Sequence, residues 1–257
     1  MRGTEDAAED LFHRHVKRET PDGLAALASR YGLGASQRAQ LAAMLAALAG
    51  DPRAPTSVRD PARALDVHVA DSLVALELEA VRTARRLADV GSGAGLPGAV
   101  LAVALAPCDV ALVESQATKC AFVRELLTAA GIVNAAVVCA RAEDWREGIG
   151  AQDVVTARAL ARQPVVLEYA APLLALGGVL VDWRGRRDGE EERAAARAAS
   201  ELGMELVEVR RTEPFEGARQ HHLHVFAKRS QTPARFPRRA GLARKRPLGA
   251  PPRRDHR

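Results

Sequence analysis

The sequence predicts an α/β protein built on a doubly wound, mostly parallel sheet. Three observations predict it. From Arg85 onward, short apolar runs of strand length alternate with longer stretches of helical periodicity. One such run leads into Asp89-Val-Gly-Ser-Gly-Ala-Gly-Leu-Pro-Gly98, which reads as a strand, a tight glycine turn and a helix start. The last two strand-like runs flank Pro214 and Gly217, which suits a closing antiparallel pair.

Residues 1–80 read as a helical region. Leu24 to Tyr31 and Gln37 to Leu48 carry apolar residues at helical spacing, with Gly32, Gly34 and Gly50 as breaks. Asp60-Pro61 opens a further helix that runs to about Glu79. Residues 81–229 read as the sheet domain. Its predicted strands are 87–90, 109–114, 135–139, 153–156, 179–183, 205–210 and 222–227. Its predicted helices are 97–106, 117–130, 163–176 and 190–202. Residues 230–257 read as a basic, flexible tail.

The glycine loop points to a nucleotide-like ligand at the C-terminal edge of the sheet. Glycines at 91, 93 and 95 permit positive φ and let a ligand approach where a Cβ would collide. Pro97 suits the first helical position, where its missing N–H costs nothing. Gly93-x-Gly95-x-x-Gly98 also fits the dinucleotide fingerprint, with Glu114 at the offset of a ribose partner. A nucleotide-binding oxidoreductase therefore stays open on spacing alone.

Composition bounds the rest. The 257 residues are 47% apolar but only 4% aromatic, so the core is built mostly of Ala, Val and Leu. Cys108, Cys120 and Cys139 form no Cys-x-x-Cys pair, which predicts buried thiols in a reducing compartment and no metal site. Leu41 to Ala49 is too short to span a bilayer, and nothing resembles a signal peptide. A cytoplasmic protein with no membrane role, acting as a monomer, is expected. The net charge of +5 hides an asymmetry: residues 228–257 carry eleven cations and one acid, a net +10, which leaves the body at −5. A basic tail on a mildly acidic body predicts a polyanionic partner. Arg235, Arg238, Arg239, Arg244, Lys245 and Arg246 are the candidate nucleic-acid contacts.

Several motifs carry a family resemblance. Asp89-x-Gly91-x-Gly93-x-Gly95 resembles the first motif of Rossmann-like S-adenosylmethionine methyltransferases. Thr56-Ser57-Val58-Arg59-Asp60-Pro61, His68, Asp71-Ser72-Leu73 and the Leu96-Pro97-Gly98 ending are similar to signatures of the bacterial 16S ribosomal RNA guanine-N7 methyltransferases, the RsmG or GidB family. So are Glu114-Ser115 with Lys119 and Phe122, then Arg141-Ala142-Glu143-Asp144, Thr156-Ala157-Arg158-Ala159, and the ending from Thr232-Pro233 to Pro247-Leu248. The chain departs from the family at Ala54-Pro55, Val67 and Arg184-Gly185, where members carry Asn-Leu, a basic residue and Lys-Gly.

The resemblance implies a seven-stranded, mostly parallel methyltransferase sheet with an N-terminal helical extension. It implies S-adenosylmethionine as cofactor and 16S ribosomal RNA, or the 30S subunit, as partner. Cofactor contacts fall on Gly91, Leu96, Ala142, Glu143 and Arg158, with Asp89, Gly93, Gly95 and Glu114 completing the cradle. Asp89 is expected near the cationic amino-acid end of the cofactor and Glu114 at its ribose. Arg158 and Arg184 are expected to position the target guanine, with an ion pair to Asp153 or Glu143 as the alternative for Arg158. Guanine N7 has a free lone pair, so alignment and electrostatics suffice without a general base. A small-molecule methyltransferase is the runner-up. His68 reads either as a cleft residue or as a structural helix residue. His221, His222 and His224 show no metal pattern, and Trp145 and Trp183 read as core or rim aromatics.

Overall fold

The fold comes from a computed structural model that describes residues 22–249. The expectations for residues 1–21 and 250–257 lie outside the described part. The chain opens with helix α1 over 22–31 and α2 over Ala35–Gly50. Gln37 turns its side chain back to the backbone N–H of Gly34 at 2.8 Å and so closes the start of α2. Asp60 caps α3 (Pro61–Ala64) by accepting from the Arg63 N–H at 2.8 Å, with Pro61 in the first turn. The helix then widens into a π-turn over Leu65–Ala70, resumes as α4 (Asp71–Leu73) and tightens over Val74–Glu77 before α5 (Glu79–Arg82). Arg59 locks this region to the end of α2. Its guanidinium donates to the carbonyls of Leu48, Asp51, Pro52 and Ala54.

The sheet follows: β1 (Arg86–Val90), α6 (Gly98–Ala104), β2 (Asp109–Glu114), α7 (Ala117–Ala129), β3 (Ala135–Cys139), β4 (Gln152–Arg158), α8 (Gln163–Leu173), β5 (Leu174–Arg184), α9 (Gly189–Leu202), β6 (Met204–Thr212) and β7 (His221–Lys228). Its strand order is β3-β2-β1-β4-β5-β7-β6. Strands β1 to β5 run parallel, and β7 lies antiparallel between β5 and β6. The winding reverses between β1 and β4, the place where open α/β sheets leave a crevice for ligands.

Two apolar layers cover the faces of the sheet. One joins α2, α4, α6 and α7 to the sheet through residues such as Leu41, Leu73, Leu101 and Leu126. The other joins α8 and α9 through Val166, Leu167, Ala198 and Leu202. Acids start α9: Asp188 accepts from the N–H groups of Glu190 and Glu191, and Gly203 ends the helix at φ +76°. Buried Lys228 donates to the carbonyls of Ala171 and Leu174, tying β7 to the end of α8.

Three local features differ from the sequence expectation. Pro97 stands just before α6, which begins at Gly98. Cys139 is exposed, because it closes the edge strand β3, although Cys108 and Cys120 are buried as expected. Residues 230–249 do not form a loose tail. They lie along α8 and α9, and Phe236 and Ala243 join the second apolar layer. A short helix, α10 (Leu242–Lys245), ends this strap.

Candidate cofactor and substrate cleft

A cleft of about 680 Å³ runs along the C-terminal ends of β1, β2, β3 and β4. Its floor is the glycine loop. Gly91, Gly93 and Gly95 all have positive φ, at +74°, +57° and +88°. A Cβ on Gly91 would collide with a Leu160 methyl, so the loop after β4 can close on this turn only because residue 91 has no side chain. Gly91, Gly93 and Leu96 line the cleft; Gly95 packs instead against Val123 and Leu126.

Glu114, at the end of β2, is buried and lines the cleft. Its carboxylate accepts from Gly93 N at 3.1 Å and Gln116 N at 2.8 Å. The Ser115 hydroxyl also donates to Oε1 at 3.5 Å, so Oε2 is the oxygen that keeps a lone pair for a ligand hydroxyl. Ala142 and Glu143 follow β3 and line the same cleft. One Glu143 oxygen accepts from the backbone N–H of Gly241 at 2.9 Å.

Asp89 plays another part. It is buried beneath the loop and does not line the cleft. Side chains alternate along a strand, so Asp89 shares a face with core residue Leu87 and points into the helix layer. There it accepts from Gly98 N at 3.0 Å and from the Thr156 hydroxyl at 2.9 Å. It staples α6 and β4 to β1. Burial raises its pKa to about 6 against the lowering effect of those bonds.

Arg158, at the end of β4, lines the cleft. Its ion-pair partner is neither Asp153 nor Glu143. It donates to Asp71 at 2.7 Å and to the Val67 carbonyl at 3.1 Å. Asp71 also faces His221 at 3.0 Å, and its carbonyl accepts from the Trp183 indole at 2.8 Å. His68 lines the cleft within 3.1 Å of the Thr56 hydroxyl. Burial and the Arg158 charge push its pKa down to about 4, so it is neutral at pH 7. The π-turn brings both His68 and Asp71 here, one in its last turn and the other just after it.

Arg184 does not reach the cleft. Two carboxylates capture it, Glu191 at 2.7 Å and Asp182 at 3.0 Å, and it donates to the Ala161 carbonyl at 3.1 Å. The strap arginines divide. Arg235 pairs with Glu201 at 3.0 Å and sits over the Phe236 ring. Arg238 pairs with buried Glu168. Arg244 donates to the Leu160 carbonyl at 3.1 Å and lines the cleft. Arg239, Lys245 and Arg246 are exposed and form no ion pair among the described residues. Sequence reasoning missed Tyr169 and the cleft position of Arg244; an apolar helix and a basic segment gave no sign of either. Among the described residues, no cluster of three or more His, Cys, Asp or Glu could hold a metal, and no helix is long and apolar enough to cross a membrane.

Solved structures share the fold. A cofactor-bound structure of Rv0187 from MTB is 23% identical, with TM-score 0.51 over 82% of this chain and 98% of that one. A mutant of MtNAS gives TM-score 0.52 at 15% identity, over 80% of this chain and 76% of that one. Sequence relatives are nearer. Ribosomal RNA small subunit methyltransferase G of Rubrobacter xylanophilus is 38% identical over 91% of this chain and 93% of its own. The protein of the same name from Synechococcus elongatus is 37% identical over 76% of this chain and 82% of its own. The family model GidB, rRNA small subunit methyltransferase G, matches residues 37–223. With the seven-stranded sheet and its Glu114-lined glycine cleft, these matches establish that the chain belongs to the rRNA small subunit methyltransferase G family.

Proposed function

We propose that the chain transfers the methyl group of S-adenosylmethionine to N7 of a guanine in 16S ribosomal RNA, as a cytoplasmic monomer that needs no metal. Family membership supports the reaction class. The observation that carries the site is the Glu114 carboxylate, anchored by Gly93 and Gln116 at the head of a glycine cradle.

The residues fit this cofactor. Glu114 offers an acceptor for a ribose hydroxyl, and Ala142 with Glu143 flanks the place for the adenine edge. Gly91 and Gly93 allow backbone to approach closely. When bound, S-adenosylmethionine supplies an electrophilic methyl on a sulfonium. The protein then has only to align an N7 lone pair with it, because that nitrogen carries no proton to remove. Arg158, held by Asp71, serves this alignment at the β4 end. Its donors suit guanine O6, which leaves N7 free. His68 is neutral at working pH and adds no charge against the sulfonium. Arg239, Lys245 and Arg246 offer cations to the RNA backbone.

The test is incorporation of labelled methyl from S-adenosylmethionine into 16S RNA and into 30S particles, with the product nucleoside read by mass spectrometry. N7-methylguanosine from either substrate supports the reading. Cofactor binding with no label in either substrate overturns it.

A further inference from the structure

We infer that the C-terminal strap is part of the cofactor site, with Arg244 in contact with the adenosine end and Gly241 positioning Glu143. This rests on the cofactor reading above. From sequence, the basic side chains of this segment are assigned to RNA contact; the family model's match ends at residue 223, while the alignment with the Rubrobacter protein, over 91% of this chain, runs past it.

The strap is built in. The Thr232 hydroxyl lies 3.1 Å from the carbonyls of both Ala171 and Leu202. Phe236 is buried, and Arg238 neutralises Glu168, which is 1% exposed. These contacts deliver the chain to the cleft. There it makes two further bonds, and their location matters. Gly241 N–H reaches Glu143, in the loop after β3. Arg244 reaches the Leu160 carbonyl, in the loop after β4. Strands β3 and β4 are the outer two of the four whose ends form the cleft. A single helical turn therefore bars the opening from one side to the other, seated by its own buried Ala243.

The chemistry follows from that placement. The ribose acceptor Glu114 ends β2, so a ligand stretched from the glycine loop outward brings its base toward β3 and Glu143. The Gly241 N–H binds one Glu143 oxygen and fixes the side chain. The other oxygen stays available to an exocyclic amine such as that of adenine. Arg244 lines the cleft beside Tyr169, and its Leu160 bond uses one of five N–H donors. A planar guanidinium there can stack on a purine or donate to it. Gly241 has φ +79°, where a side chain is strained although nothing lies within 4 Å of its added Cβ. A branched residue at 241 would thus turn the N–H away from Glu143 without a clash.

Isothermal titration of the full chain with S-adenosylmethionine, and separately with adenosine, in the absence of RNA tests this. Arg244→Ala should weaken both ligands about tenfold, the scale of one charge-assisted hydrogen bond. Arg244→Lys should recover part of the loss, and Gly241→Val should weaken adenosine by several-fold. Thermal melts check that the variants fold, which the exposed position of Arg244 favours. If wild type binds and Arg244→Ala and Gly241→Val bind as well as wild type, the inference is overturned, even where RNA association falls. If wild type binds neither ligand, the cofactor reading falls and takes the inference with it.

Discussion

Asp71 holds Arg158 by a 2.7 Å ion pair across 87 residues of sequence, and so joins the helical N-terminal region to the floor of the cleft. The two side chains are 7% and 17% exposed. Removing one partner of such a pair leaves the other desolvated and costs roughly 3 kcal/mol. Asp71→Ala should lower stability to urea by that amount and also reduce methyl transfer, because Arg158 loses its anchor. Asp71→Asn should retain more of both. Unfolding curves and label incorporation, run side by side, read the two effects.

Two glycines of the loop should fail in different ways. Gly98 is packed: an added Cβ would collide with a Leu112 methyl and lie 2.7 Å from the Asp89 Cβ. Gly98→Ala should cost about 1–3 kcal/mol through overpacking. Gly93 is open, with only the Gly91 carbonyl at 3.8 Å from an added Cβ, but it lines the cleft. Gly93→Val should abolish cofactor binding, and its cost in stability comes from the φ of +57°, which a β-branched residue resists, and not from a clash. Thermal melts and cofactor titration on both variants separate the two outcomes.

Asp89 sets a pH dependence. Its pKa rises from 3.8 to about 6 on folding, so the folded state takes up the proton first. This contribution is fully present below pH 3.8 and is lost as pH rises through about 6. Asp89→Asn keeps an acceptor for Gly98 and can donate to the Thr156 hydroxyl, so it should flatten that part of the profile. The variant should match or exceed wild-type stability at about pH 8, whereas Asp89→Ala should lose about 2 kcal/mol. Urea midpoints at about pH 5 and about pH 8, on either side of the raised pKa, check the sign.

Arg238 is a structural cation. Its partner Glu168 is 2% exposed at the side chain, so Arg238→Ala would leave a buried carboxylate alone. A loss of roughly 3–5 kcal/mol is expected. Restoring neutrality with Glu168→Gln in the same chain should recover part of it. A double-mutant cycle by urea unfolding measures the coupling.

The seven strand centres and the helices between them are readable because apolar periodicity is local. Strand ends are less so. The β4–β5 pair shifts register between Gln152 and Val154, and Gly178 allows backbone to close within 2.9 Å of where its Cβ would stand. No local pattern announces that. In the site, the glycines and Glu114 are readable because turn and strand end lie in one short stretch. The pairs Arg158 with Asp71 and Glu143 with Gly241 are not, being 87 and 98 residues apart. Charge alone does not say which acid will capture which arginine. Arg184 shows this most plainly: its partner Glu191 lies seven residues on, at the start of the next helix. Asp89 escapes the motif for a simpler reason. Its alternation with Leu87 sends it inward, and a motif taken as a unit hides that parity.

The position of β7 has a consequence for synthesis. It threads an interior lane of the sheet, although every other strand precedes it in the chain. While a ribosome still holds residues up to 228, β5 and β6 have no shared neighbour and one flank of the sheet stays open. The glycine turn and Glu114 can assemble on the emerging first half. The bars of the cleft lie later in the chain than every strand of the sheet, so they are set after the sheet is complete.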